Sequence, residues 1–307
     1  MAVSAAARLR ELLAGPAIVQ AAGAYDALSA RIVAAAGFPV VYMTGFGSAA
    51  SLLGQPDVGL VAQTEMADNA RRLAAAVSVP VLADADTGYG NPLNVRRTVQ
   101  LYEAAGVAGL HLEDQVAPKR CGHLAGKQVI AAPEMVQKLR AAAAARRDPA
   151  FVIVARTDAR AVLGLPEAIR RGEQYAAAGA DALFIEAPES VDECRAIGQA
   201  FRGGPPLLFN WAEGGKTPPL ALAAIAALGY RLVLYPISLL LGATAAMQQV
   251  AETIRQQGIP GAAAAPRLSF AQFNAFIGLP EIQALERRFA LDDPVPAANA
   301  IPVVPAG

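Results

Sequence analysis

Eight short apolar runs recur along the chain, and each is followed by a longer stretch with helical periodicity. The runs are AIVQAAG (17–23), PVVYMTG (39–45), PVLADAD (80–86), GLHLED (109–114), FVIVART (151–157), ALFIEA (182–187), PLLFNW (206–211) and YRLVLYP (230–236). Most lack polar–apolar alternation, as expected of parallel strands covered on their outer side by helices. Between them, residues 25–36, 64–77, 93–105, 133–146, 166–178, 190–201 and 218–228 place Ala, Leu, Arg and Glu at three- and four-residue spacing. Thr64 before Glu65 and Pro166 before Glu167 read as helix openings. The segments AAAG (34–37), EAAG (103–106), AAAG (176–179) and AALG (226–229) read as helix ends closed by glycine. Eight strand–helix units in series predict an α/β protein with a (β/α)8 TIM-type barrel. A doubly wound open sheet is the alternative, weakened because no G-x-G-x-x-G follows a strand.

A long helix is expected near 237–257, followed by a Gly/Ala/Pro linker at 258–266, short helices near 268–276 and 280–291, and a Pro-rich extended tail. Residues 1–257 therefore read as the catalytic barrel, and 258–307 as a C-terminal arm of linker, short helices and tail. Such an arm packs either on a neighbouring subunit or on its own barrel, and these residues alone favour neither.

The chain has 307 residues, 54% of them hydrophobic, enough for one large core. Lys+Arg and Asp+Glu are balanced at 26 each and no basic run stands out, which argues against a nucleic-acid partner. No apolar stretch reaches the roughly 20 residues of a membrane helix, so a cytoplasmic protein without a membrane partner is expected. Two cysteines, Cys121 and Cys194, make no disulfide framework.

The polar residues gather where strands end, on the face that carries the active site in a barrel. Asp84 and Asp86 are two residues apart on one strand and so should face the same side. Burying both without a cation is costly, which points to a bound ion. Oxygen ligands favour Mg2+, with Mn2+ as the alternative, over zinc. Glu113-Asp114 adds carboxylates at the next strand end, and Asp57 lies in the loop after the second strand. His111, two residues before Glu113, reads as a core histidine with a satisfied nitrogen.

The segment DQVAPKRCGHLAGK (114–127) carries Lys119, Arg120, Cys121, His123 and Lys127. A thiol among cations has a lowered pKa and makes a better proton donor or nucleophile, and the glycines suit a loop that moves over a ligand. Cys194, on a helix, reads as structural. Arg156 at a strand end can clamp a carboxylate bidentately, and Glu186 and Asn210 can orient polar substrate groups.

Together, YMTGFG (42–47), DADTGYGNP (84–92), HLEDQ (111–115), PKRCGH (118–123), ARTDA (155–159), IEAP (185–188) and NWAEGGKTP (210–218) resemble the isocitrate lyase/phosphoenolpyruvate mutase superfamily, from about Gly23 to Pro236. The KRCGH segment is the signature of its lyase branch. The resemblance implies a barrel whose last helix is exchanged between subunits, in dimers that pair into a homotetramer. It implies Mg2+ near Asp84, with Asp86, Asp57 and Glu113 acting directly or through water. It implies a small carboxylate substrate, held at one end by Arg156 and by contacts from Thr44, Gly45 and Phe46, with Gly122, Glu186, Asn210 and Trp211 as further binding residues. Cleavage of C2–C3 in a 2-hydroxy acid then yields pyruvate or another 2-oxo acid plus an enediolate, which Cys121 protonates as general acid. Lys119 and His123 tune the thiol and close the loop, and Tyr42 is a candidate base. Leu241 stands where relatives acting on tricarboxylates have an arginine, so a 2-alkylmalate such as 2,3-dimethylmalate is the leading substrate, followed closely by 2-methylisocitrate. The remaining readings are an oxaloacetate acetylhydrolase, a carboxyvinyl-carboxyphosphonate phosphorylmutase or other phosphonate-processing enzyme, and an inactive barrel scaffold.

Overall fold

The computed structural model describes residues 3–122, 126–260 and 267–290. In chain order the elements are α1 (Ala5–Ala14), β1 (Val19–Ala24), α2 (Ala27–Ala35), β2 (Val40–Met43), α3 (Gly45–Leu53), α4 (Gln63–Ala76), β3 (Val81–Asp84), α5 (Pro92–Ala104), β4 (Gly109–Glu113), α6 (Ala132–Ala145), β5 (Val152–Thr157), α7 (Ala159–Leu163), α8 (Leu165–Ala177), β6 (Ala182–Ile185), α9 (Val191–Ala200), β7 (Leu207–Asn210), α10 (Leu222–Ala227), β8 (Tyr230–Tyr235), α11 (Ser238–Gln257), α12 (Phe270–Phe276) and α13 (Leu279–Arg288). The eight strands pair in order, all parallel, and β8 closes on β1 with Ala21 opposite Leu234. This is the (β/α)8 barrel expected from the eight apolar runs. Among the described residues no helix is long and apolar enough to cross a membrane.

Side chains alternate between two cores, as a period of two dictates. Val40, Tyr42, Leu82, Val154, Phe184, Leu208 and Leu234 fill the barrel interior. Val41, Met43, Val81, Ala83, Leu110, Leu112 and Ile153 face outward, into the layer under the helices. This double burial explains why the strands read as unbroken apolar runs rather than alternating ones.

Three helices were not expected. The Ala-rich start forms α1, capped by the Ser4 side chain, which accepts from Ala7 N–H. Leu9 and Leu13, one turn apart, are buried against the interior residues and stopper the barrel from below. Thr44 caps α3, its side chain accepting from the Gly47 N–H. The short α7 follows β5 directly. In the other direction, α10 starts at Leu222 instead of 218, after Pro218 and Pro219.

The chain divides into two compact units, Met1–Ala245 and Ala246–Gly307, and the division falls within α11. In the second unit, Ser269 and Gln272 form a capping box that starts α12. Phe270 is 85% exposed and Phe289 72%, with Ile282 and Leu285 of α13 also turned outward.

Candidate active site

The strands that fill the barrel with apolar side chains end in polar ones. Asp84 on β3, Glu113 on β4, Arg156 on β5 and Asn210 on β7 stand at the last inward positions, and Glu186 follows directly after β6. Register sets the neighbours: Glu113 is directly opposite Arg156, and Asp84 opposite His111. Arg156 Nε lies 3.3 Å from Glu113 Oε2, and its guanidinium sits over the Phe184 ring, 5.0 Å from the centroid.

A cavity of about 200 Å³ opens above this layer, smaller than the pockets that take drug-sized ligands. Tyr42, Thr44, Phe46, Asp57, Asp84, Lys119, Cys121, Gly122, Arg156, Glu186 and Asn210 all line it. Gly45 adjoins it and donates its N–H to Asp84 Oδ2 at 3.2 Å. A Cβ at residue 45 would lie 2.4 Å from that oxygen, so glycine is required there. A larger cavity of about 870 Å³ at Arg10, Leu13 and Arg231 contains none of the expected chemistry.

The carboxylates do not reach the site as strand alternation suggested. β3 stops at Asp84, and Asp86 has a left-handed backbone, φ 47°. That turn brings Asp86 Oδ1 to 2.8 Å from Lys119 Nζ. Lys119 also contacts both oxygens of Asp57 at 2.7 Å. Asp114, by contrast, points out of the barrel. Its Oδ2 accepts from Thr157 Oγ1, Arg171 Nη1 and Tyr175 Oη at 2.7–2.8 Å, and its Oδ1 from the Asp158 N–H at 2.9 Å. It braces the end of β5 from outside and is no rim carboxylate.

The electrostatics show too little positive charge. On the cavity side of the strand ends, the buried carboxylates Asp57, Asp84, Asp86, Glu113, Glu186 and Asp158 outnumber the buried cations Lys119, Lys127 and Arg156. Burial pushes Asp86 up to about 6 despite Lys119, with Asp84 and Asp57 adding to the rise. Burial likewise raises Glu113 well above its ordinary range, and neither of its oxygens has a hydrogen bond. Burial would raise Asp84 too, but His111, Lys119 and Arg156 outweigh it and hold that carboxyl low. Lys119 is kept firmly charged, because Asp86, Asp84, Glu113 and Asp57 overcome its desolvation. An ionised Asp84 in a carboxylate-rich cavity fits a divalent cation held by oxygen. Among the described residues no three His, Cys, Asp or Glu side chains form a ready metal cage. Asp84, Asp86, Asp57 and Glu113 are the buried carboxylates that could hold such an ion.

His111 is the expected buried histidine with one satisfied nitrogen. It is fully buried, with Nε2 2.9 Å from the Tyr42 hydroxyl and 3.6 Å from Asp84 Oδ1, and Nδ1 has no hydrogen bond. Burial holds its pKa down at about 4, so the ring is neutral at pH 7. Tyr42 is raised well above 10, by burial first and then by Asp84, and so stands as a protonated hydroxyl.

The loop after β4 is tied to the barrel at several points. Gln115 Nε2 donates to the Arg120 carbonyl at 2.8 Å, and Arg120 N–H donates back to Gln115 Oε1 at 3.0 Å. Cys121 N–H donates to the Asp57 carbonyl at 3.2 Å. Gly122 packs directly on Arg156: a Cβ there would come 2.3 Å from Arg156 Nη2. Cys121 is half-buried in the cavity wall, whereas Cys194 is buried in α9. His123 lies outside the described residues.

Trp211 stands apart from the cavity. Its Nε1 donates to the Leu220 carbonyl at 3.1 Å, outside the lining, because it follows the inward-facing Asn210 and so points the other way. Leu241 is 46% exposed and also absent from the lining, where Pro236 and Ile237 supply that wall. Glu213, Gly214 and Gly215 line the cavity as well. These residues belong to loops after strands, where periodicity says nothing about direction.

The chain matches the family model described as phosphoenolpyruvate phosphomutase over residues 9–255. It is 45% identical to 2,3-dimethylmalate lyase from Eubacterium barkeri, covering 94% of this chain and 99% of that one. It is 41% identical to a 2-methylisocitrate lyase from Halalkalibacterium halodurans, covering 92% and 93%. The structure of oxaloacetate acetylhydrolase bound to 3,3-difluorooxalacetate superposes with a TM-score of 0.88 at 37% identity, covering 93% and 97% of the two chains. That of phosphonopyruvate hydrolase with oxalate and Mg2+ superposes at 0.85 and 33% identity, covering 94% and 99%. With its closed barrel, its strand-end carboxylates and Cys121 in the cavity wall, the chain belongs to the isocitrate lyase/PEP mutase superfamily, as one of its carbon–carbon lyases.

Proposed function

We propose that the protein is a Mg2+-dependent lyase that cleaves the C2–C3 bond of a 2-alkylmalate-type dicarboxylate, with Cys121 as general acid. The observation that carries this reading is the convergence, on one small cavity, of ionised Asp84, the Arg156 clamp and the Cys121 thiol. Arg156, held charged by Asp158, Glu186 and Glu113 against its own burial, binds the substrate's C1 carboxylate. A divalent ion such as the Mg2+ of the phosphonopyruvate hydrolase structure, if held at Asp84, would supply Lewis-acid charge to the oxygens of a 2-hydroxy acid. Glu186 and Asn210, linked at 3.2 Å, orient the polar groups on the opposite side.

A base takes the C2 hydroxyl proton and C2 becomes a carbonyl. The electrons of the C2–C3 bond pass to the departing carboxylate as an enediolate, and the thiol proton goes to its carbon. Tyr42 is the candidate base. Burial and then Asp84 hold its phenol protonated, while the positive charges of Arg156 and Lys119 pull the other way. Lys119, clamped between Asp57 and Asp86, anchors the Cys121 loop to the metal side of the cavity.

Among the described residues, Lys119 and Arg156 are the cations that line the cavity. Lys119 is already satisfied by two carboxylates, so a third substrate carboxylate finds no counter-charge there, which favours a dicarboxylate. The exposed apolar side chains of α12 and α13 need a cover, in keeping with an arm exchanged between subunits of a homotetramer.

The test is a panel of 2,3-dimethylmalate, citramalate, 2-methylisocitrate, isocitrate, oxaloacetate and phosphonopyruvate with Mg2+, scored by release of 2-oxo acid or oxalate. Fast cleavage of the alkylmalates with poor tricarboxylate turnover supports the proposal, and preference for 2-methylisocitrate overturns its dicarboxylate part. Preferential oxalate release from oxaloacetate would favour the second reading, a hydrolase, whose structural relative superposes as well as the 2,3-dimethylmalate lyase structure, at a TM-score of 0.88.

A further inference from the structure

Lys127 and Asp158 are among the most deeply buried charges in the chain, yet neither touches the cavity. Lys127 Nζ lies 2.7 Å from Asp158 Oδ1, with the two side chains 2% and 0% exposed. A buried pair of this kind contributes little net stability compared with apolar residues of equal volume, so its position needs another reason. Its further bonds supply one. Asp158 Oδ2 accepts from Arg156 Nε at 3.0 Å, and Oδ1 accepts from Nη2 at 3.2 Å. The Lys127 ammonium also donates to the Gly122 carbonyl. An unbroken path therefore runs from the substrate clamp through a carboxylate and an ammonium to the peptide next to Cys121. Gly122 in turn packs against Arg156 and Glu186 more closely than any side chain would allow. Asp114 fixes the far end of the path by accepting the Asp158 N–H.

We propose that Lys127 and Asp158 are positioning residues that hold the Gly122 peptide against Arg156 and so aim the neighbouring Cys121 thiol at the substrate. The proposal rests on the reading of Cys121 as general acid. Lysine suits the task because its three donors reach acceptors on two separate segments. Methionine fills similar volume without donating. Asparagine at 158 keeps an acceptor but removes the charge that holds both cations. A misplacement of the acid by about 1 Å is enough for a hundredfold loss.

The experiment combines a double-mutant cycle with thiol labelling on the full-length protein. Lys127→Met and Asp158→Asn are made alone and in a Cys121→Ser background, with folding checked by circular dichroism. Each single variant should lose roughly a hundredfold in kcat; KM should change much less in Lys127→Met, and should rise in Asp158→Asn as Arg156 loses its partner. In the Cys121→Ser background neither should lower kcat further, because the thiol they aim is gone, although Asp158→Asn still weakens substrate binding through Arg156. Iodoacetamide labelling of Cys121, followed by mass spectrometry, should run roughly tenfold faster in both variants as the loop loosens. Additive losses, or labelling at the wild-type rate, would overturn the proposal and leave the pair a structural one, even with Cys121 as the acid. Full activity in Cys121→Ser alone would remove the general acid itself, and the aiming role with it. If Lys127→Met does not fold, Asp158→Asn carries both readouts.

Discussion

The Tyr42 hydroxyl meets His111 Nε2 at 2.9 Å on the floor of the cavity, with both rings shut off from water. The imidazole is neutral, since burial holds it at about 4. Either the hydroxyl donates to a bare nitrogen or the nitrogen donates to the hydroxyl, and in both cases the phenol is held on the same nitrogen that lies 3.6 Å from Asp84 Oδ1. Replacing Tyr42 with Phe removes that oxygen and keeps the ring. Cleavage should fall by about 10²–10⁴, the range for a lost acid–base group. Stability should fall by about 1–3 kcal/mol because Nε2 is left unsatisfied. Steady-state kinetics and denaturant unfolding measure the two effects separately. An unchanged kcat would remove Tyr42 from the proton path.

Metal removal should be decisive. EDTA should abolish cleavage, and Mg2+ or Mn2+ should restore it. Independently of turnover, Mg2+ with oxalate should raise the Tm, by about 2.7 kcal/mol of linkage at a hundredfold excess over Kd. Asp84→Asn should lose this stabilisation, since Asp84 is the ionised carboxylate at the cavity. A Tm shift that survives Asp84→Asn would move the ion elsewhere.

How much of this could be read from the chain follows from how each residue is placed. Glu113, Arg156 and Asn210 were legible because a strand fixes direction, and the last inward position of a barrel strand is a site position. Asp86 was named for a reason that fails, since a left-handed turn rather than alternation turns it inward. Trp211 was misplaced by one residue of pleat. Asp114 shares a motif with Glu113 but faces the opposite way, a distinction that alternation alone could have drawn. Lys127 and Asp158 lay inside quoted motifs, but their pairing across 31 residues is tertiary and leaves no local trace. The α1 stopper was signalled by Ser4 and by Leu9 and Leu13 one turn apart, a pattern masked by its alanines.

The two thiols should differ sharply. Burial pushes Cys194 up to about 11, whereas Cys121 stands half-exposed in the cavity wall. At pH 8 the thiolate fraction of Cys194 is about 10⁻³ and should rise tenfold per pH unit until the pH approaches that value. Native alkylation should therefore mark Cys121 first, and oxalate with Mg2+ should slow it. Cys194→Ser should leave cleavage unchanged. Equal labelling of both thiols at pH 8 would show that α9 opens readily.

Asp114 should be the most costly single carboxylate to remove outside the cavity. It is fully buried and accepts from Thr157, Arg171, Tyr175 and the Asp158 backbone. Asp114→Ala leaves the Arg171 guanidinium, 5% exposed, without its 2.8 Å partner and with only the half-buried Glu167 carboxylate at 2.9 Å to offset part of the loss. Breaking one side of a buried pair costs about 3–5 kcal/mol. Asp114→Asn keeps an acceptor and should cost less, although one amide hydrogen then faces a donor. Both variants should also lower kcat, because the N–H that Asp114 accepts belongs to the residue holding Arg156 and Lys127. Urea unfolding gives the first effect and single-turnover cleavage the second. Reduced stability with undiminished single-turnover cleavage would mean that the end of β5 keeps its shape without Asp114, and that the outward network stabilises the barrel without setting the site.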